Sequence, residues 1–296
     1  MQIQANATTL EVQDSGGTGT PVLLIMGLSG QLIHWPEAFT APLVNAGFRV
    51  IRFDNRDAGL SRHFSELGKP RLGWIGLQRA LGLKPSAPYG LADMAHDTLG
   101  LLDALALPQA HIVGVSMGGM IAQRLALAAP GRCLSLTSIM SSSGARGLPG
   151  PSRPVIQAFM AKPRGRDREA VLRYYVDFFR VIGSPAFPTP AAELRALFAQ
   201  TIERSYDPEG NLRQLAAIMA DTHRADELHA LRVPTLVLHG REDPFVPLAC
   251  GEDTARRIPG ARLAVIDGMG HDLPPPVCAR LLAHLLPHLR EHAPQS

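Results

Sequence analysis

The sequence has few cysteines, no long hydrophobic run and no apolar segment near its start. Its three cysteines, Cys133, Cys250 and Cys278, are an odd number without metal-ligand spacing, so a disulfide framework is not expected. No apolar stretch approaches the length that spans a bilayer, and residues 1–17 lack the apolar core of a secretion signal. We therefore expect a cytoplasmic protein without a membrane partner.

Charged residues are also sparse, at 19% of the 296 residues, with a formal net charge of +3. Lys and Arg are scattered, apart from a short run at residues 162–168 that also contains Asp167 and is typical of solvated surface. Nucleic-acid binding is therefore not expected. The 46% of hydrophobic residues can fill a large core, which favours one α/β domain with an inserted subdomain over two independent domains.

Short apolar runs alternate with helical patterns along most of the chain. Residues 1–14 predict an antiparallel strand pair, and residues 22–26 predict a strand that is buried on both faces. Further strands are predicted at residues 49–54, 111–116, 134–140, 233–240 and 261–268. This alternation predicts an α/β fold with a mostly parallel sheet flanked by helices.

The alternation stops between residues 141 and 232, where only helical patterns occur. We predict that residues 141–232 form a helical cap inserted into a core of residues 1–140 and 233–296. The cap would cover the carboxyl ends of the strands, where open α/β sheets bind their ligands. Residues 64–89 form a connection rich in Gly and Pro, of a length that is often functional.

Ser116 lies in GVSMG, a match to G-x-S-x-G at a predicted strand-to-helix junction. A tight turn without a chemical role is the alternative, since a chain of this length shows the pattern by chance roughly one time in ten. The junction favours a nucleophile. Gly114 and Gly118 would leave room for strand and helix to cross and for the hydroxyl to project.

A serine nucleophile requires an adjacent base, and His271 is the best placed of the 11 histidines. It follows the last predicted strand, at the sheet edge that carries the serine. Asp243, after the strand at 233–240, is the expected carboxylate, although a turn or helix cap is an alternative role for it. Asp267 and Asp272 are rivals that lie very near His271 in sequence.

Several stretches resemble the α/β-hydrolase superfamily, and the resemblance covers nearly the whole chain. Within the superfamily the chain is similar to the aclacinomycin methylesterase-like branch of bacterial carboxylesterases. The stretches are LLIMG (23–27), RFDNRDAGLS (52–61), DMAHDTLGLLDAL (93–105), HIVGVSMGGMIAQ (111–123), PTLVLHGREDPFVP (234–247) and GMGH (268–271).

The resemblance implies an α/β-hydrolase fold and a Ser-His-Asp carboxylesterase that forms an acyl-enzyme and needs neither a cofactor nor a metal. The backbone N–H groups of Leu28 and Met117 would form the oxyanion hole. Many relatives carry His-Gly where this chain has Met26 and Gly27, so the hydrogen bonds of that histidine are absent here. The expected substrate is a small-molecule ester with an apolar portion, and a homodimer is left open.

Candidate residues of the substrate pocket are His34, Trp35, Met140, His223 and Phe245. Two alternative functions remain open. The same three catalytic residues could hydrolyse an enol lactone or a carbon–carbon bond, or support a lyase step. A second alternative is a ligand-binding sensor of the same fold without turnover, since fold alone does not fix function.

Overall fold

The computed structural model describes residues 1–294 except 162, 164 and 166, so part of the basic run at 162–168 lies outside the described residues. The centre of the protein is an eight-stranded sheet. Its strands are β1 (Gln2–Ala5), β2 (Thr8–Asp14), β3 (Pro21–Ile25), β4 (Arg49–Phe53), β5 (Ala110–Val115), β6 (Cys133–Ile139), β7 (Thr235–Gly240) and β8 (Arg262–Ile266).

The strands lie in the order β1-β2-β4-β3-β5-β6-β7-β8. The pairings of β1 with β2 and of β2 with β4 are antiparallel, and the pairings among β4, β3, β5, β6, β7 and β8 are parallel. In register, Ile25 pairs with Gly114, Val115 with Ile139, and Ile139 with Leu238. The carboxyl ends of β3, β5, β6 and β7 therefore meet at one edge.

Helices cover both faces of the sheet and fill the connections between strands. They are α1 (Glu37–Asn45), α2 (Leu72–Ala80), α3 (Leu91–Ala104), α4 (Met117–Ala128), α5 (Arg153–Met160), α6 (Arg168–Ile182), α7 (Ala191–Arg204), α8 (Pro208–Ala220), α9 (Arg224–Glu227), α10 (Leu248–Arg257) and α11 (Pro275–Glu291). The predicted α/β fold with a mostly parallel sheet is confirmed.

Strand β3 shows why these residues form a buried parallel strand. Leu23 and Ile25 pack into a core that includes residues of α3 and α4, whereas Val22 and Leu24 pack into a core that includes residues of α1 and α11. All four side chains are completely buried. A continuous apolar run is the pattern that such a doubly covered strand requires.

Between β6 and β7 the chain leaves the sheet and forms α5 to α9, which we call the helical insertion. Helix α6 packs against both α5 and α7, and aromatic side chains fill the contacts. Phe179 lies with its ring centroid 4.6 Å from that of Phe198, and the rings of Tyr175 and Phe198 stack at 5.1 Å.

The segment 64–89 differs from the sequence-based interpretation as a connection, because it contains α2. Two glycines, Gly73 and Gly76, lower its intrinsic helix propensity and conceal it in the sequence. The helix is stabilised by packing on α8, where Ile75 is buried and Arg79 donates to the carbonyl oxygen of Met219 at 3.2 Å. Within the described residues, no helix is long and apolar enough to cross a membrane.

Candidate active site

Ser116 occupies the turn between β5 and α4, with φ 53° and ψ −122°. A positive φ is unfavourable for a residue with a side chain, so surrounding contacts must maintain it. The backbone N–H of Ser116 donates to the carbonyl oxygen of Ile139 at 2.9 Å, and its own carbonyl oxygen accepts from Ser141 Oγ at 2.7 Å. These bonds anchor the turn to β6 and leave Ser116 half-buried at the carboxyl edge of the sheet.

Glycines around Ser116 allow the strand and the helix to approach closely. A Cβ atom on Gly118 would lie 2.8 Å from the carbonyl oxygen of Met26, and one on Gly119 would lie 2.6 Å from Cβ of Ser141. A Cβ on Gly114 would overlap the backbone of Gly118. Any side chain at these positions would push α4 away from β3, β5 or the segment after β6.

His271 lies between Ser116 and Asp243. Its Nδ1 is 2.7 Å from Asp243 Oδ2, and its Nε2 is 3.1 Å from Ser116 Oγ. Because an ionised carboxylate only accepts hydrogen bonds, Nδ1 of the neutral ring carries the proton and Nε2 presents its lone pair to the serine hydroxyl. This arrangement can accept the serine proton.

Asp243 is fixed by its own loop. Its Oδ1 accepts from the backbone N–H groups of Phe245 at 2.9 Å and Val246 at 2.8 Å, which leaves Oδ2 for His271. The two rival carboxylates have other partners. Asp272 accepts from the backbone N–H of Ser184 at 3.0 Å, and exposed Asp267 pairs with Arg241. Asp243 is therefore the carboxylate in contact with the histidine ring.

The helical insertion holds the loop that carries His271. The backbone N–H of His271 donates to the carbonyl oxygen of Ile182 at 2.7 Å, and that of Gly270 donates to Ser184 Oγ at 2.9 Å. The ring of Phe245 stands edge-on to the imidazole at 5.0 Å between centroids. Sequence analysis missed Ile182 and Ser184, because contacts across almost 90 residues leave no local pattern.

The turn after β3 lies directly against Ser116. A Cβ atom built on Gly27 would lie 3.1 Å from Cβ of Ser116 and 3.6 Å from its Oγ. Within the described residues, the backbone N–H of Leu28 has no hydrogen-bond acceptor. Met117 is the first residue of α4, and the first N–H groups of a helix have no partner inside the helix. The assignment of these two N–H groups to an oxyanion hole stays a prediction.

Two buried amides hold this turn in place. Asn55 Nδ2 donates to the carbonyl oxygen of Met26 at 2.9 Å, and Gln214 Oε1 accepts from the backbone N–H of Ser29 at 2.9 Å. Gln214 Nε2 also donates to the carbonyl oxygen of Arg56 at 2.7 Å. Asn55 belongs to the DNRD stretch (residues 54–57), which is part of the resemblance to the α/β-hydrolase superfamily. Gln214 lies in α8 and belongs to no sequence motif.

The DNRD stretch joins the core to the helical insertion through buried ion pairs. Asp54 accepts from the N–H of Leu32 at 2.6 Å and pairs with Arg204 of α7 at 2.6 Å. Arg213 of α8 donates to both oxygens of Asp57, at 2.8 and 2.9 Å, and both side chains are fully buried. Burial raises the pKa of Asp54 although Arg204 and two backbone N–H groups oppose that shift.

The candidate pocket residues occupy different environments. His34 Nε2 lies 2.8 Å from Thr201 Oγ1 of α7, and burial lowers the pKa of His34 to about 4. Trp35 and Met140 are buried in the core that faces α1 and α11, whereas His223 is exposed at the start of α9. Of these residues, Phe245 is the one seen in contact with His271. Their contact with substrate stays a prediction.

Among the residues that the structure describes, two groups of His, Asp and Glu side chains lie close enough to share a cation, but each already holds an arginine. Asp57, His63 and Asp207 surround Arg213, which donates to both carboxylates. Arg262 donates to the other group at His288 Nδ1 and Glu291 Oε2, 2.9 and 2.8 Å away. The guanidinium groups supply the positive charge, so neither set of residues fits a metal ion.

Comparison with known proteins identifies the family of the chain. Residues 20–274 match the family described as alpha/beta hydrolase fold. The chain belongs to the α/β-hydrolase fold family. The predicted membership and the prediction of a hydrolase are therefore confirmed.

The chain is 32% identical to the rhodomycin D methylesterases of Streptomyces sp. (strain C5) and Streptomyces peucetius, over 91% of this chain and 91% of each relative. This α/β hydrolase thus falls in the methylesterase-like branch. Among solved structures, a meta-cleavage product hydrolase from Pseudomonas fluorescens IP01 superposes with a TM-score of 0.74 and 20% identity, covering 99% of this chain and 98% of that one. At 20% identity this similarity shows a shared fold and carries no conclusion about the reaction.

Proposed function

We propose that this α/β hydrolase is a serine esterase that cleaves a carboxylic ester with Ser116, His271 and Asp243 as its catalytic residues. The observation that carries the proposal is the position of one imidazole between the two other groups, 3.1 Å from the serine hydroxyl and 2.7 Å from the carboxylate. A hydroxyl, a base and a carboxylate in this order form the arrangement that activates serine in acyl transfer.

In the first step, Ser116 Oγ attacks the ester carbonyl while His271 Nε2 takes the hydroxyl proton. The C–O bond to the alcohol then breaks, and the same proton passes from Nε2 to the leaving alkoxide. This step leaves an acyl group on Ser116. In the second step, water loses a proton to Nε2 and attacks the acyl carbonyl, after which the proton returns to Ser116 and the acid departs. Asp243 stabilises the imidazolium that forms in each step.

The backbone N–H groups of Leu28 and Met117 would bind the oxyanion. Support comes from the close approach of Gly27 to Ser116 and from the position of Met117 at the N-terminus of α4, where the helix dipole favours negative charge. One such donor is typically worth about 3 kcal/mol in the transition state. Met26, where many relatives carry histidine, is buried and packs its side chain against Gly30.

We further propose that residues 141–232 act as a cap over this edge of the sheet and supply an apolar wall for the substrate. The supporting observation is a row of aromatic rings that leads from the helical insertion to His271. Phe159 and Phe178 each lie 5.8 Å from Phe245, which contacts the imidazole. With the two methylesterase relatives, this wall favours a methyl ester of an acid with an apolar body.

The decisive experiment follows the covalent intermediate. Wild-type protein treated with a fluorophosphonate should gain one adduct on Ser116, and aryl acetates should be turned over repeatedly. Ser116→Ala should lose both properties and retain the thermal unfolding of wild type, whereas Ser65→Ala, at an exposed serine, should behave as wild type. Sustained ester hydrolysis by Ser116→Ala would contradict the proposal.

The same assay separates the alternative functions. Preferential turnover of an enol lactone or of a vinylogous diketone over methyl and aryl esters would assign a different reaction to the same residues. Labelling of Ser116 in one turnover, without sustained hydrolysis of any of these substrates, would assign a ligand sensor.

A further inference from the structure

Helix α2 presents an unusual surface to solvent. Trp74 and Leu77 of α2 and Leu81, the residue directly after the helix, follow each other at spacings of three and four residues, so they lie on one side of the helix. They are 53%, 47% and 65% exposed, respectively, and Leu83 just beyond the helix is 54% exposed. A helix that packs on a protein surface normally exposes polar residues. Here the outward side is apolar.

The opposite side of α2 is the one attached to the protein. Ile75 is buried, Gly76 approaches the side chain of Met219, and Arg79 donates to the carbonyl oxygen of Met219 on α8. Trp74, Leu77 and Leu81 therefore take no part in these contacts between α2 and the rest of the protein. We call these three residues, together with Leu83 in the exposed segment that follows the helix, the α2 apolar face.

The charged residues that neighbour the α2 apolar face in the sequence have one sign. No Asp or Glu occurs from residue 67 to residue 92, whereas this segment contains Lys69, Arg71, Arg79 and Lys84. Lys69, Arg71 and Lys84 are exposed, and within the described part of the chain none of them forms an ion pair. Exposed Arg146 adds a further cation beside Gly82.

We propose that the α2 apolar face, with its surrounding cations, binds the surface of an anionic lipid bilayer. Exposed tryptophan and leucine side chains flanked by lysine and arginine are the composition that inserts shallowly into a lipid interface and attracts acidic headgroups. A second copy of the chain fits less well, because an interface between two α2 apolar faces would bring like charges together. The proposal is independent of the esterase assignment.

The proposal departs from the sequence-based expectation of no membrane partner. That expectation rested on the lengths of the apolar runs. These lengths exclude a segment that spans a bilayer, but they do not show which side of a short helix faces solvent. The position of α2 on α8 supplies this information.

The test uses the full-length protein and vesicles of phosphatidylcholine alone or mixed in equal parts with phosphatidylglycerol. Co-sedimentation should favour the anionic vesicles by about tenfold or more and should weaken as salt is added. Trp74 emission should shift to shorter wavelength on binding. The other tryptophan, Trp35, is 1% exposed and should not respond.

Variants separate the apolar and the charged contributions. The double variant Leu77→Ser with Leu81→Ser should bind anionic vesicles about tenfold less or worse, since its apolar anchor is lost. The double variant Arg71→Gln with Lys84→Gln should bind more weakly and with less dependence on salt. Val44→Ser and Arg290→Gln, at an exposed apolar and an exposed basic position of α1 and α11, should bind as wild type.

Several results would overturn the proposal. These are equal binding to both kinds of vesicle, no binding to anionic vesicles at low salt, and unchanged binding by the Leu77→Ser, Leu81→Ser variant. Self-association that this variant abolishes, measured by analytical ultracentrifugation without lipid, would assign the face to a homodimer instead. Binding of an acidic protein without binding of anionic vesicles would likewise replace the lipid surface as the partner.

Discussion

Gln214 of the helical insertion accepts a hydrogen bond from the backbone N–H of Ser29 at 2.9 Å and so ties the insertion to the turn beside Ser116. The contact joins two parts of the chain that are 185 residues apart. Ser29 directly follows Leu28, whose N–H is a proposed oxyanion donor. The geometry of that donor therefore depends on a residue of the helical insertion.

Gln214→Leu should lower kcat by about tenfold to a hundredfold and leave KM nearly unchanged, because a shift of the oxyanion donor affects the transition state more than substrate binding. Steady-state kinetics on an aryl ester would measure this split. Gln200→Leu, at an exposed position of α7, is the matched control. A rise in KM alone would show that Gln214 acts on substrate binding instead.

Asp243→Asn should lower kcat by about 10⁴-fold, since an amide at this position favours the wrong tautomer of His271. Asp267→Asn removes a carboxylate that is nearer to His271 in sequence but is exposed and paired with Arg241, so it should retain wild-type activity. Both variants should unfold at the temperature of wild type within a few degrees. A comparable loss of kcat in Asp267→Asn would refute the assignment of Asp243.

Gly118→Ala should destabilise the protein by about 3 kcal/mol or prevent folding, because the added methyl group would enter the space of the Ile25 and Met26 carbonyl groups. Gly73→Ala on α2 is the matched control, since a Cβ there meets nothing within 4 Å. It should stabilise the helix by up to about 1 kcal/mol. Urea unfolding followed by circular dichroism distinguishes the two outcomes.

Arg213→Met should cost about 3–5 kcal/mol of unfolding free energy, because it leaves the carboxylate of Asp57 buried without its cation. Arg195→Met, which breaks an exposed ion pair with Glu169, should change the stability little. Similar stability of the two variants would contradict this prediction and would mean that the hydrogen bond from the Tyr89 hydroxyl to Asp57 Oδ2, at 2.7 Å, suffices for the carboxylate. Denaturant unfolding at neutral pH provides the comparison.

Stability should fall as the pH decreases below 6.5 towards about 4. Burial lowers the pKa of His34, His111 and His288 from the ordinary 6.5 to about 4, so these rings bind protons more tightly in the unfolded chain. Above pH 6.5 the rings are neutral in both states, and this loss of stability is absent.

His111→Leu tests one of these sites. It should reduce the drop in stability between pH 6.5 and 4, and the exposed His284→Gln should leave it unchanged. His63 has the opposite sign. Burial lowers the pKa of the His63 ring, but hydrogen bonds to the Gly59 carbonyl and to Asp207 raise it by more, so the pKa is raised overall. Its stabilising contribution should therefore be complete below pH 6.5 and decline as the pH rises above that value.

The sequence alone determined the sheet and the order of the chemical groups along it. Strands such as β3 are continuous apolar runs because helices cover both of their faces. This pattern involves only neighbouring residues, so the sequence alone predicts it. The glycines around Ser116 can also be interpreted from the sequence, because they occur where neighbouring atoms come too close for a Cβ. Asp243 and His271 lie in the loops after β7 and β8, so a parallel sheet places them at the edge that holds Ser116.

Only the tertiary structure decided how these groups are held and what the insertion contributes. Ile182, Ser184 and Gln214 act through contacts with residues some 90 to 185 positions away, and such contacts leave no periodicity in the sequence. Helix α2 was missed because its glycines oppose a helix that packing on α8 nevertheless stabilises. The sequence specifies which groups can react, and long-range packing fixes their orientation.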